Sequence, residues 1–138
     1  MSKCIFIVDD NAVVRRCLRG IFENEGWEIC GEAENGHDAI EKAPRLHPDL
    51  IILDLSMPVM NGLEAAPRLK RILPEVRIVM FSIHGGALEH EALSAGVAAV
   101  VSKTDNMKTL VRLAGTLVQA DRRYGITSNA SRPSLRSA

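Results

Sequence analysis

The chain has 138 residues, enough for one ordinary domain with a single buried core. Lysine plus arginine equals aspartate plus glutamate at 17 each, so the formal charge is zero, and no basic excess argues for nucleic acid or an anionic membrane surface. The apolar run after Lys3 is too short for the apolar region of a signal peptide, and no segment approaches the roughly 18 apolar residues of a spanning helix.

Strand-like and helix-like pieces alternate along the chain. Cys4 to Val8 is apolar throughout and ends at Asp9-Asp10. From Asn11 the spacing turns helical, with Val14, Cys17, Leu18, Ile21 and Phe22 on one face and Arg15, Arg16 and Arg19 on the other. Gly26 stops that helix, and Trp27 to Ala33 reads as a second strand. Asn35-Gly36 turns into a weaker helix with Ala39, Ile40 and Ala43 inward, closed by Pro44 and Pro48. Cys4, Cys17 and Cys30 have no metal spacing and read as small buried hydrophobes in a reducing cytosol.

Leu50 to Leu53 is a short continuous apolar run, the mark of a strand buried on both faces, and it ends in Asp54. Met57-Pro58 forces an extended or turning backbone, and Asn61-Gly62 is a second turn or a helix cap. A helix over Leu63 to Ile72 follows; Pro67 should kink it or distort its first turn. Val76 to Phe81 is the fourth strand, ending at Ser82. Gly85-Gly86 precede a short helix from about Ala87 to Ala95, and Val97 to Val101 is the fifth strand, followed by Ser102 and Lys103. Met107, Leu110, Val111, Ala114, Leu117 and Val118 give the cleanest amphipathic helix. Residues 123–138 are rich in Ser, Arg, Asn and Pro and read as a flexible tail or linker after a domain of residues 1–122.

The order is (βα)5, and right-handed crossovers make it a doubly wound parallel sheet of the flavodoxin-like kind, strand order 2-1-3-4-5, as a single domain. Asp9, Asp10, Asp54, Ser82 and Lys103 then leave the sheet at one carboxyl edge, where such folds bind ligands. Each alone has an ordinary explanation: Asp9-Asp10 as helix caps, Ser82 as a strand-to-loop residue, Lys103 as a solvated lysine. His37, His47, His84 and His90 show no metal spacing and read as surface or loop residues. Together the strand-end residues describe a chemistry. Crowded carboxylates repel, by about 4 kcal/mol per pair at about 4 Å and an effective dielectric of ~20. A hard divalent cation such as Mg²⁺ relieves that repulsion. A carboxylate can attack phosphorus, and cation, ammonium and hydroxyl can hold the three oxygens of a transferring phosphoryl group.

The acidic pair, the Asp54-x-x-Met57-Pro58-x-x-x-Gly62 stretch, Ser82 and Lys103 make residues 3 to about 121 resemble the receiver domain of two-component response regulators. The Asn61-Gly62-Leu63-Glu64 and Ser102-Lys103-Thr104-Asp105 phrasing is similar to receivers of LuxR/NarL-type regulators. The resemblance implies that Asp54 takes a phosphoryl group from a sensor histidine kinase or phosphotransfer protein. It implies that Asp10 ligates Mg²⁺ directly and Asp9 through water, with Asp54 and the Ser56 carbonyl completing the protein's share. Lys103 would pair with Asp54 and Ser82 would swing toward the phosphate.

By the same resemblance the chain is a cytoplasmic signalling module, not an enzyme acting on external substrates. It would control a downstream effector protein or domain, without touching nucleic acid or membrane itself, and could dimerise through its helix-four to helix-five face. Ile83, Val100 and Thr104 depart from the family's small, aromatic and proline residues at those places, which bears on signal transmission and not on the chemistry. Two other classes are carried. A haloacid dehalogenase-like phosphatase or phosphotransferase would want a second Asp where this chain has Ser56. A phosphorylation-independent binding module would not need the intact site.

Overall fold

A computed structural model describes residues 3–119 of the chain. The expected tail over 123–138 lies outside the described residues. Within them the order is β1 (Cys4–Val8), α1 (Ala12–Asn24), β2 (Glu28–Ala33), α2 (Gly36–Leu46), β3 (Leu50–Leu53), α3 (Gly62–Ile72), β4 (Arg77–Ser82), a 3₁₀ turn over Gly85–Leu88, α4 (Glu89–Ser94) and β5 (Ala99–Ser102). A last helix, α5, covers residues 107–119.

All strand pairs are parallel and the sheet order is β2-β1-β3-β4-β5, as the alternation of elements leads one to expect. Side chains alternate faces along each strand. Phe6, Val8, Ile51, Leu53, Ile78 and Met80 therefore enter one core layer with Ala39, Ala43, Ala65, Ala66 and Leu69. Ile5, Ile7, Leu50, Ile52, Val79 and Phe81 enter the other with Leu18, Phe22, Leu110 and Ala114. This puts α1 and α5 on one face and α2, α3 and α4 on the opposite one. The central strand β3 is buried at every position, which accounts for its unbroken apolar run.

Helix entries follow the local chemistry. Asn11 caps α1 through bonds from Val13 and Val14, Asn35 caps α2 through Asp38, and Asn61 forms a reciprocal capping box with Glu64. Pro44 does not close α2: it sits in the last turn, and the helix ends instead at His47, whose N–H still bonds the Ala43 carbonyl and whose left-handed φ of 47° then turns the chain out of the helix. Likewise α3 continues past Pro67, with the Leu73 N–H bonded to the Leu69 carbonyl at 2.8 Å.

The cysteines depart from their reading as buried hydrophobes. Cys17 is exposed. Cys4 and Cys30 are half-buried and joined as a disulfide, with Cα atoms 5.7 Å apart. A register shift between Ile5 and Phe6 in the β1–β2 pairing falls at Cys30. Arg15 and Arg19 also depart from a simple solvated face. Both guanidinium groups close on Glu32 of β2, at 2.9 and 2.7 Å.

Candidate functional site

The parallel registers bring Val8, Leu53, Met80 and Val100 level across the sheet, so the residues after them emerge together. Asp9 follows β1, Asp54 follows β3, Ser82 ends β4 and Lys103 follows β5. Carboxylate oxygens of Asp9, Asp10 and Asp54 lie within 4.8 Å of one another. The Lys103 ammonium sits between two of them, 2.7 Å from Asp9 and 3.4 Å from Asp54. All five sequence-derived strand-end residues thus gather at one edge, with Lys103 nearer Asp9 than Asp54.

Asp9 and Asp54 are buried, at 2% and 5% exposure, whereas Asp10 is exposed. Burial, and then the charge of Asp9, push the Asp54 carboxyl up from an ordinary 3.8 to about 6, against the lowering pull of Lys103. One ammonium does not compensate three carboxylates. An all-oxygen donor set of this charge fits a hard divalent cation.

The surrounding loops are shaped around Asp54. A Cβ on Gly62 would collide with the Asp54 carbonyl oxygen, so only glycine lets α3 start this close to the end of β3. The Gly62 N–H bonds the Leu55 carbonyl at 2.8 Å, fastening that approach. Val59, between the Pro58 turn and Asn61, is held at φ 69° and is 80% exposed, an unusual conformation for a β-branched residue. Ser82 is buried, and its hydroxyl accepts the His84 N–H at 3.0 Å. The Ser56 side chain meets His84 Nε2 at 3.2 Å, tying the loop after β3 to the loop after β4 beside Asp10. Ser56 and His84 each stand two residues after a site residue, Asp54 and Ser82, and that matched offset brings them together at the rim.

A match to the protein family described as the response regulator receiver domain spans residues 5–114, which include Asp9, Asp10, Asp54, Ser82 and Lys103. The chain belongs to the response regulator receiver family. Its relatives place this receiver among two-component signalling proteins. The chemotaxis protein CheY of Thermotoga maritima is 39% identical over 104 residues, covering 75% of this chain and 87% of that protein. A putative transcriptional regulator of Pseudomonas aeruginosa is 38% identical over 112 residues, but the match covers only 54% of it. Among solved structures, a LuxR-family response regulator from Aurantimonas superposes with a TM-score of 0.82 at 27% identity, covering 87% of each chain. The response regulator domain of Thermotoga maritima CheB superposes with a TM-score of 0.71 at 30% identity, covering 89% of this chain and 96% of that one. The receiver therefore resembles both CheY and the receiver part of longer proteins. No helix among its described residues is long and apolar enough to cross a membrane.

Proposed function

We propose that this receiver takes a phosphoryl group on Asp54 from a phosphohistidine of a sensor kinase or phosphotransfer protein, and that the modified chain then controls a partner or effector. The observation that carries this reading is the buried Asp54 carboxylate beside Asp9, Asp10 and the Lys103 ammonium. A carboxylate oxygen of Asp54 attacks phosphorus while the bond from phosphorus to the histidine nitrogen breaks, and the electron pair leaves on the imidazole. Asp9, Asp10, Asp54 and the Ser56 carbonyl would hold Mg²⁺, which supplies charge neutralisation to the phosphoryl oxygens. Lys103 lies within reach of the acceptor and takes one phosphoryl oxygen. Ser82 turns its hydroxyl from the His84 amide toward another.

The added charge of about −1.5 to −2 is the signal. On this reading the receiver is a stoichiometric module and turns over no external ester. It works in the cytoplasm, where the Cys4–Cys30 pair would stand as two thiols. A homodimer through the faces of α4 and α5 is the proposed assembly, and α4 carries one exposed large apolar residue, Leu93.

Incubation with acetyl phosphate and Mg²⁺ should add one phosphoryl group by intact mass, and Asp54→Asn or chelation should abolish it. Full labelling of Asp54→Asn would remove Asp54 as acceptor. Steady release of phosphate from an ester substrate would favour a phosphatase instead.

A further inference from the structure

Every polar atom of Asp9 is engaged. Its N–H donates to the Ala33 carbonyl at 3.0 Å, its Oδ1 accepts the Asn11 N–H at 2.9 Å, and its Oδ2 meets Lys103 at 2.7 Å. Its carbonyl oxygen accepts from Arg15 Nη1 at 2.6 Å. The first two partners come from the end of the strand ladder and the helix entry, and the third from the site. The fourth is a side chain that makes no contact with the acidic cluster's carboxylates among the described hydrogen bonds and ion pairs.

Its position explains why it is there. The β1–β2 pairing ends with the Asp9 N–H on the Ala33 carbonyl at 3.0 Å, so the Asp9 carbonyl, on the same side of the strand, lies beyond the last rung. A buried carbonyl left without a donor loses its solvation with nothing in return and would rotate to find one. That carbonyl belongs to the peptide unit joining Asp9 to Asp10. Fixing its plane fixes how both side chains leave the backbone.

Arg15 can do this because it is itself held. Its Nε donates to Glu32 Oε1 at 2.9 Å, and Arg19 takes the other carboxylate oxygen at 2.7 Å. Lys42 fastens the Glu32 carbonyl at 2.8 Å. Burial would raise the Glu32 carboxyl, but the hydrogen bonds from Arg19 and Arg15 outweigh it and hold the group below its ordinary range. A guanidinium presents a rigid fork of donors, so one edge can grip Glu32 while Nη1 grips the Asp9 carbonyl. Glu32 also neutralises a cation that would otherwise oppose a metal ion at the neighbouring carboxylates.

We propose that Arg15, clamped by Glu32, is a positioning residue that locks the Asp9–Asp10 peptide so that both carboxylates face the cation bound by this receiver. This rests on the proposed Mg²⁺ site, and the test separates the two. Mg²⁺ would be titrated by calorimetry into metal-free wild type, Arg15→Ala, Arg15→Lys and Arg16→Ala, with folding checked by circular dichroism. Removing a cation close to an acidic site strengthens metal binding if long-range charge is all that matters. A positioning role gives the opposite sign: Arg15→Ala should weaken Mg²⁺ about tenfold. Arg15→Lys, which keeps the charge but lacks the rigid fork of donors, should fall between, and Arg16→Ala, the same charge removed from an exposed neighbour, should bind at least as well as wild type. The Asp10 amide resonance should also move in metal-free Arg15→Ala, since that N–H belongs to the peptide whose carbonyl lost its donor. Absence of Mg²⁺ binding by wild type would overturn the site reading, and this inference with it. Wild-type binding with equal or tighter binding by Arg15→Ala and Arg15→Lys would overturn the positioning role alone.

Discussion

Asp54→Asn should stabilise the metal-free protein at neutral pH and do almost nothing at acid pH. Burial, and then Asp9, raise the Asp54 carboxyl from an ordinary 3.8 to about 6 in the fold. A carboxyl raised in this way holds its proton more tightly folded than unfolded, so stability is lost as pH climbs through the window between those values. The gap of about two pH units, at about 1.36 kcal/mol each, makes a penalty of about 3 kcal/mol fully present above about pH 7 and absent below about pH 4. Asparagine keeps the shape, carries no charge at any pH, and leaves Lys103 its 2.7 Å contact with Asp9.

For a domain of this size about 3 kcal/mol corresponds to a melting temperature higher by roughly 10 °C. Urea unfolding in EDTA, followed by the fluorescence of the single buried tryptophan Trp27, gives the quantity directly. Carboxylates remote from the acidic cluster cancel in the difference, which should trace a step between about pH 4 and pH 7. Adding Mg²⁺ at pH 7.5 should shrink the step, because a ligand that binds only the folded state stabilises it and wild type has the fuller donor set. A flat difference across that range would refute the claim that the buried acidic cluster is electrostatically strained.

Gly62→Ala should cost toward the upper end of about 1–3 kcal/mol in urea unfolding and lower Asp54 labelling, since the new methyl meets the Asp54 backbone and not a movable side chain. Unchanged stability would show that α3 can shift freely. Val59→Asn should stabilise by about 1 kcal/mol, because asparagine tolerates the left-handed backbone and little burial is lost; a lower melting temperature would contradict this. The Ser56–His84 contact closes the loops beside the site without an acid or amide to orient water. Phosphorylated wild type should therefore decay more slowly than a Ser56→Asn, His84→Glu double variant, and equal or slower decay in the variant would end that account. Phosphorylation or a beryllofluoride mimic should change amide exchange most over residues 84–95. Val100→Ala should leave that response nearly intact and Gly85→Pro should blunt it, since Val100 offers no ring to bury.

The sheet order and the converging strand ends were legible because both depend on short-range rules. An apolar run bounded by turn residues fixes a strand, alternation with helical spacing fixes the parallel topology, and a residue type just past each strand fixes its edge. Pro44 misled for a local reason: a proline removes a single backbone bond, and α2 runs on past it to the His47 N–H on the Ala43 carbonyl. The cysteines misled for a longer-range one. The placement of Cys30 falls at a register shift in a parallel pair, which side-chain type does not announce.

The arginines of α1 show where such reading runs out. Arg15, Arg16 and Arg19 look alike in sequence, three cations on the face away from Leu18 and Phe22. What divides them is Glu32, 17 residues beyond Arg15, on a strand that packs beside β1. That carboxylate lies one residue before Ala33, whose carbonyl holds the Asp9 N–H, so β2 contributes to Asp9 twice, once by its backbone and once through a side chain that orients Arg15. Strand-end residues bring the carboxylates and the ammonium to one edge, while β2, one strand away, holds the backbone of Asp9. A pattern of residue types can therefore identify the site without showing what aims it. Arg15 and Arg16 are the pair to compare, because they carry the same charge on the same turn and only one of them touches the backbone of the acidic pair.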